Sequence, residues 1–355
     1  MVKGKIVLLA KLTPYSGNLT TARRIRSYLL ESDYICELKN TASFDKAQDF
    51  VNHLLENKFN CVICVHLWRA GRLLLGSSIP FSVIFGGTDL NVDTYNWNRL
   101  KVMTRVVKKA RLLVAFSQVM AKRAEEVWPD IKTKLFIQPQ AVMTYPLHNF
   151  EDEDEMDRVL LEISENDKEL FYPMKNKIIF TLVAGLRPVK DPMFLFNSFS
   201  CWHCEDSRIH LVVIGPEIDL EFSKTVKDEA KRYPGVVVLP PVSQPRLYAF
   251  LKNYTVALVN SSLSEGMASS IIEAMYLEIT VIARKIAGNE SLIKHEENGL
   301  LFETTQEFLS LAKRVAYDDE YRDKIKKGGK KYIVNNHCQM IEGKTYKSVV
   351  KTMLE

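Results

Sequence analysis

Two rhythms of apolar and polar residues alternate along the chain. Short consecutive apolar runs over residues 5–10, 34–38, 61–66, 81–85, 112–116 and 135–137 predict strands buried on both faces. Between them, residues 19–30, 47–55, 97–109 and 119–127 carry apolar positions every three or four residues, the period of a helix with one buried face. A strand can be apolar throughout only where helices cover both sides of its sheet, so this alternation predicts a parallel α/β sheet. The rhythm breaks over 149–176, where Phe150-Glu-Asp-Glu-Asp-Glu-Met-Asp157 opens a charged stretch ending at Tyr172-Pro173. It resumes with strand runs at 177–184, 209–214, 236–239, 256–259, 280–283 and 300–302. Beyond 302 the pattern is helical, and the last segment, 339–354, is expected to return to the first domain. The organisation read from this is a Rossmann-like domain over 1–150, an acidic connection over 151–176, a second Rossmann-like domain over 177–335 and a terminal helix over 336–355. Two doubly wound domains of this kind are expected to face each other across a cleft lined by strand ends, where such sheets bind ligands.

Length agrees with two domains, since 355 residues exceed what one core usually supports. Hydrophobic residues at 46% and charged residues at 26% describe an ordinary folded protein. The net charge of +5 is small for this length and gives no support to nucleic-acid binding. The basic run Lys324-Ile-Lys-Lys-Gly-Gly-Lys-Lys331 lacks interleaved aromatics and reads as the charged end of a surface helix. Residues 99–111 hold six basic residues among apolar ones; a core-facing helix with a basic outer face is the first reading, a membrane-surface helix the second. The first apolar run is too short for a signal-peptide core, and no later window reaches the length of a membrane span, about 18 apolar residues. A cytoplasmic, reduced protein is expected. Of the six cysteines, Cys61/Cys64 and Cys201/Cys204 form Cys-x-x-Cys pairs. The first pair lies in a strand-like run, where residues three apart point to opposite faces, so no structural zinc is expected. Asp152-Glu-Asp154 sits inside the acidic run and reads as solvated linker rather than as a metal motif.

The candidate chemistry is concentrated in Ser264-Glu-Gly-Met-Ala-Ser-Ser-Ile-Ile-Glu-Ala-Met275, which follows a strand and opens a helix. Glu265 falls in the loop and Glu273 one to two turns into the helix. Carboxylates accept two hydroxyl hydrogen bonds at once, which suits a sugar or ribose ring, and the small residues Gly266, Ala268 and Ser269 leave the helix N-terminus open to a phosphate. This Glu-x7-Glu arrangement resembles the signature of the retaining GT-B glycosyltransferases of family 4. Other segments follow that family's order. Ala184-Gly-Leu-Arg-Pro-Val-Lys-Asp-Pro192 stands where the family has its Gly-Arg…Lys-Gly phosphate loop, in a shortened form. Ala287-Gly-Asn-Glu-Ser-Leu-Ile293 and Glu297-Asn-Gly-Leu-Leu-Phe302 resemble the elements that close its donor domain. Pro14-Tyr-Ser-Gly-Asn18 resembles its first glycine loop, and Gly86-Gly-Thr-Asp-Leu90 its His-Gly-Thr-Asp segment.

The resemblance implies a GT-B fold with an N-terminal acceptor domain and a C-terminal donor domain. It implies a nucleotide-sugar donor carrying UDP or GDP, an acceptor left open, and no metal or other cofactor. Arg187 and Lys190 would hold the diphosphate and offset the charge that builds on the leaving nucleotide. Donor contacts would also come from Gly17, Gly185, Glu265, Gly266, Met267, Ala268, Ser269, Glu273, Gly288 and Asn289, with Gly87, Thr88, Asp89 and Ser117 on the acceptor side. Gly86 departs from the pattern, standing where many relatives place a histidine that contacts the donor sugar, and His66, at the end of the third strand, is the candidate to replace it. The departures motivate a rival reading, a nucleotide-sugar-binding protein without transfer activity; a third and weaker reading is a sugar-nucleotide epimerase of the same fold.

Overall fold

The computed structural model describes residues 3–142 and 176–355. Most of the expected acidic connection, with Asp152 and Asp154, lies outside them. The chain divides into two units, each built on six parallel strands.

The first unit holds the described residues up to 142, together with Ser264–Met267 and His337–Glu355. Its strands are β1 (Gly4–Ala10), β2 (Tyr34–Asn40), β3 (Cys61–Val65), β4 (Phe81–Ile84), β5 (Leu112–Ala115) and β6 (Leu135–Ile137), in the spatial order β2-β1-β3-β4-β5-β6. β3, β4 and β5 are buried at every position, and apart from Ser82 every residue in them is apolar. The helices between them are α1 (Gly17–Leu30), α2 (Ala47–Glu56), α3 (Gly87–Asn91), α4 (Trp97–Lys109) and α5 (Gln118–Val127). Side-chain caps set several starts: Ser16 accepts from Leu19 N–H, Asn96 from Arg99 N–H and Ser117 from Met120 N–H. The apolar face of α4 is spent on this core through Met103, Val106 and Val107.

The second unit holds the described residues from 176 to 263 and Ala268–Asn336. Its strands are β7 (Ile178–Val183), β8 (Ile209–Ile214), β9 (Val236–Leu239), β10 (Thr255–Asn260), β11 (Thr280–Arg284) and β12 (Leu300–Phe302), ordered β12-β11-β10-β7-β8-β9. Read from β9, this is the 3-2-1-4-5-6 order of a dinucleotide-binding fold, so the strand order reverses between β7 and β10. Helices α6 (Phe196–Glu205), α7 (Leu220–Ala230), α8 (Gln244–Tyr254), α9 (Ser269–Tyr276), α10 (Ala287–Glu290), α11 (Thr305–Tyr317) and α12 (Asp319–Asn336) follow, and α13 (Gln339–Leu354) belongs to the first unit. The basic run at 324–331 lies in α12, which buries Tyr321, Ile325, Gly329 and Ile333 and turns its charges outward.

No helix among the described residues is long and apolar enough to cross a membrane.

Candidate active site

In the first unit the chemistry gathers where β3 and β4 end side by side. His66, the residue after β3, is 4% exposed and adopts a left-handed backbone with φ of 84°. Its Nδ1 lies 2.6 Å from Asp89 Oδ1, and its Nε2 lies 2.6 Å from Thr88 Oγ1. Asp89 is fully buried and also accepts from the backbone N–H groups of Leu67 at 2.6 Å, Trp68 at 2.8 Å and Gly86 at 2.7 Å. It is the third residue of α3, placed as an acidic N3 residue is placed to reach back to the start of its helix. One carboxylate therefore ties together the two turns that carry His66 and Thr88.

Gly86 and Gly87 are small for different reasons. A Cβ at position 86 would stand 2.6 Å from His66 Cδ2, so the imidazole fills the volume that a side chain there would need. A Cβ at position 87 would fall on the backbone nitrogen of Gly266, because the two glycines meet backbone to backbone. Asn91 Nδ2 donates to Ser264 Oγ at 2.9 Å and to the Glu265 carbonyl at 3.4 Å. Gln140 Nε2 donates to the Met267 carbonyl at 3.3 Å, and its Oε1 accepts from Thr21 Oγ1 at 3.0 Å and Arg24 Nη2 at 3.2 Å. The half-buried Glu265 thus sits in a turn fixed at both ends. Gly17 opens α1 at the carboxyl end of β1, and the hydroxyl of Ser117 caps α5.

In the second unit, Arg187 and Lys190 lie in the turn after β7, beside the point where the strand order reverses. The loop after β10 is bonded onto that turn: Ser261 Oγ donates to the Lys190 carbonyl at 3.0 Å, and Leu263 N–H to the Val189 carbonyl at 2.9 Å. Asp191 has φ of 43°, a left-handed conformation where the resembling loop carries glycine. Its carboxylate accepts from Arg284 Nη1 at 2.8 Å, and the same nitrogen donates to the Ser261 carbonyl at 3.2 Å while the guanidinium lies 4.2 Å from the Phe194 ring centroid. Arg284 was not among the sequence candidates; its signal was its position at a strand end.

Gly185 opens the β7 turn, where Ile218 occupies the space beside its Cα. Ala268 and Ser269 start α9, with no side-chain cap on its N-terminus. Glu273 lies one turn in and accepts from Gln244 Nε2 at 3.1 Å. Gly288 and Asn289 are buried in α10, where Asn289 Nδ2 donates to Asn260 Oδ1 at 3.1 Å and to the Arg284 carbonyl at 2.9 Å. Its Oδ1 has no partner among the described residues.

Among the described residues, His66, Asp89 and Asp93 bring potential ligand atoms within 4.8 Å of one another. Each is already engaged, Asp93 by Arg99 at 2.5 Å. The Cys61 and Cys64 thiols are buried in β3, and burial pushes Cys61 up to about 12 and Cys64 upward as well, which keeps both protonated.

Residues 163–332 match the family model described as "Glycosyl transferases group 1". Over 347 residues the chain is 39% identical to glycosyltransferase 1 domain-containing protein 1 of Xenopus tropicalis, covering 98% of this chain and 97% of that one. The chain belongs to the glycosyl transferases group 1 family. Within solved structures, this group 1 chain is similar to Anabaena Alr3699/HepE in complex with UDP and glucose, with a TM-score of 0.77, 14% identity and coverage of 98% of this chain and 99% of that one. The same protein in complex with UDP-glucose gives 0.77, 13%, 98% and 100%. Sucrose-phosphate synthase of Thermosynechococcus elongatus gives 0.76, 12%, 99% and 99%. These likenesses give the group 1 chain the GT-B fold. The matched family segment covers the β7 turn with Arg187 and Lys190, the Glu265 loop and Glu273. The His66, Thr88 and Asp89 cluster lies outside it.

Proposed function

We propose that this chain is a retaining, metal-independent glycosyltransferase that moves a sugar from a UDP- or GDP-sugar to an acceptor. The observation that carries the reading is the fixed Glu265 turn, pressed onto Gly87 through Gly266 and held by Asn91 and Gln140. A backbone anchored in this way presents the Glu265 side chain from a fixed point, which lowers the entropic cost of holding ring hydroxyls. Arg187 and Lys190, in the turn at the reversal of strand order, are assigned to the diphosphate, with Ser261 and Arg284 shaping that turn. The UDP and UDP-glucose held by the Anabaena structures support a UDP-sugar in particular.

In this reading the bond from the anomeric carbon to the diphosphate breaks and its electron pair leaves on the phosphate oxygen. That oxygen takes the acceptor's proton, and the acceptor's nucleophilic atom bonds to the carbon on the face the phosphate leaves. No protein nucleophile is needed; the arginine and lysine supply the charge offset that a metal supplies elsewhere.

The test is a transfer and donor-hydrolysis assay over UDP- and GDP-sugars with broad acceptor mixtures, using Glu265→Ala and Arg187→Ala as controls. Transfer by the wild type, lost in both variants, is expected. Binding without turnover returns the protein to a binding role, and donor conversion without any acceptor makes it an epimerase.

A further inference from the structure

We propose that Thr88 is the hydroxyl that reads a sugar hydroxyl in this site, and that His66 acts through it as a positioning residue. The inference rests on the nucleotide-sugar reading and moves Thr88 from the acceptor side, where the resemblance puts it, to the sugar of the donor. Both ring nitrogens of His66 are in use, at 2.6 Å to Asp89 Oδ1 and 2.6 Å to Thr88 Oγ1, and the residue is 4% exposed. A ring enclosed on both edges has no nitrogen left to offer a substrate. Thr88, by contrast, is half-buried in the first turn of α3, next to Gly87 and so next to the Glu265–Gly266 turn.

The order of the chain sets the direction of its hydrogen bonds. Nδ1 faces the Asp89 carboxylate, which already accepts three backbone N–H groups, at 2.6 Å and the Arg69 N–H at 3.4 Å; the shorter contact needs a proton between its two atoms, and on that ground the proton is placed on Nδ1. That tautomer leaves Nε2 as an acceptor, and the Thr88 O–H donates to it. With its proton committed inward, Oγ1 keeps its lone pairs for an incoming O–H and is polarised toward accepting one. A sugar hydroxyl is such a donor, and Glu265 is the acidic partner in the same unit for a neighbouring hydroxyl. The left-handed φ of His66 and the missing side chain at Gly86 are the structural conditions for this: a side chain at 86 would take the ring's place.

The experiment measures binding by titration calorimetry on the full chain with UDP-glucose, UDP-N-acetylglucosamine and GDP-mannose, then compares the tightest of these with its free nucleotide diphosphate. Thr88→Val is expected to weaken the sugar nucleotide about five- to tenfold, as for one lost hydrogen bond, and to leave the free diphosphate unchanged. Thr88→Ser is expected to restore most of the loss. His66→Asn, which tolerates the left-handed backbone, should show the Thr88→Val phenotype, and the double variant should be no worse than either single one. Equal binding of the sugar nucleotide by Thr88→Val and wild type overturns the assignment of Thr88. Parallel weakening of the free diphosphate overturns it too, since the residue then serves the nucleotide or the fold. If the wild type binds none of the three donors, the nucleotide-sugar reading falls together with it.

Discussion

His66 and Gly86 form a matched pair in which one residue's side chain uses the space the other lacks. The imidazole lies where a Cβ at 86 would come within 2.6 Å of it, and the histidine accepts a left-handed φ of 84° to put it there. Adding a methyl group at 86 therefore forces a shift of a ring held at both nitrogens, and overpacking of this kind costs about 1–3 kcal/mol. Gly86→Ala is expected to lower stability by that amount in urea unfolding. In a His66→Gly background, which opens the space and suits the backbone, the same change is expected to cost less than about 0.5 kcal/mol. Equal costs in the two backgrounds would mean that the pair is not coupled. Asp191 is a second residue of this sort: an aspartate stands in a left-handed position and the ion pair with Arg284 anchors it.

At the scale of elements, α13 is joined to α1 by a buried ion pair rather than by apolar packing alone. Arg24 and Glu342 meet at 2.8 Å with side chains 3% and 0% exposed, and Tyr28 donates its hydroxyl to the same carboxylate at 3.0 Å. Burial and the Glu342 charge push the Tyr28 phenol well above its ordinary range, so it stays a donor. Arg24 also donates to Gln140, the residue that holds the Met267 carbonyl, so the terminal helix is linked to the Glu265 turn through two side chains. Removing one partner of such a pair leaves a buried charge unmatched. Glu342→Ala is expected to destabilise the chain by about 3–5 kcal/mol in chemical denaturation, whereas the apolar replacement Arg24→Met with Glu342→Leu should recover most of it. A loss below about 1 kcal/mol in the single variant would show that the pair is not structurally important.

The elements themselves were largely legible. β6, β8, β9, β12, α4 and α13 have the bounds that periodicity predicts, because continuous apolar runs and three-four spacing are local properties of the sequence. Ends differ where a cap decides them, as where Ser16 starts α1 at Gly17. The places of Glu265, Arg187 and Lys190 after strand ends were legible from short motifs. Arg284, Gln140 and Asn91 were not, since their partners are distant in sequence and no local pattern marks a residue that positions another. The role of Gly87 likewise appears only when Gly266 is brought against it.

The molecule as a whole carries the same plan twice, six parallel strands with helices, and buries histidines in each unit. In the second, His210 on β8 is 2% exposed, and burial moves its pKa from 6.5 to about 4. In the first, burial also lowers His337, whose Nδ1 lies 2.5 Å from the Gln140 carbonyl. Between pH 6.5 and about 4 the unfolded chain takes up a proton at residue 210 that the folded chain refuses. The stability this gives is complete above pH 6.5 and is lost as the pH falls toward 4. Thermal melts are expected to show Tm falling across that window, with a shallower fall in His210→Gln. An identical slope in that variant would place the acid sensitivity elsewhere.

The proposed transfer depends on recognition of a nucleotide sugar, with Arg187 and Lys190 at its diphosphate. Thermal shift against a panel of UDP- and GDP-sugars tests it most directly, because a ligand that binds only the native state raises Tm. A rise with at least one donor is expected, and it is lost in Arg187→Ala and in Lys190→Ala. No rise with any donor, or an equal rise in both variants, would contradict it.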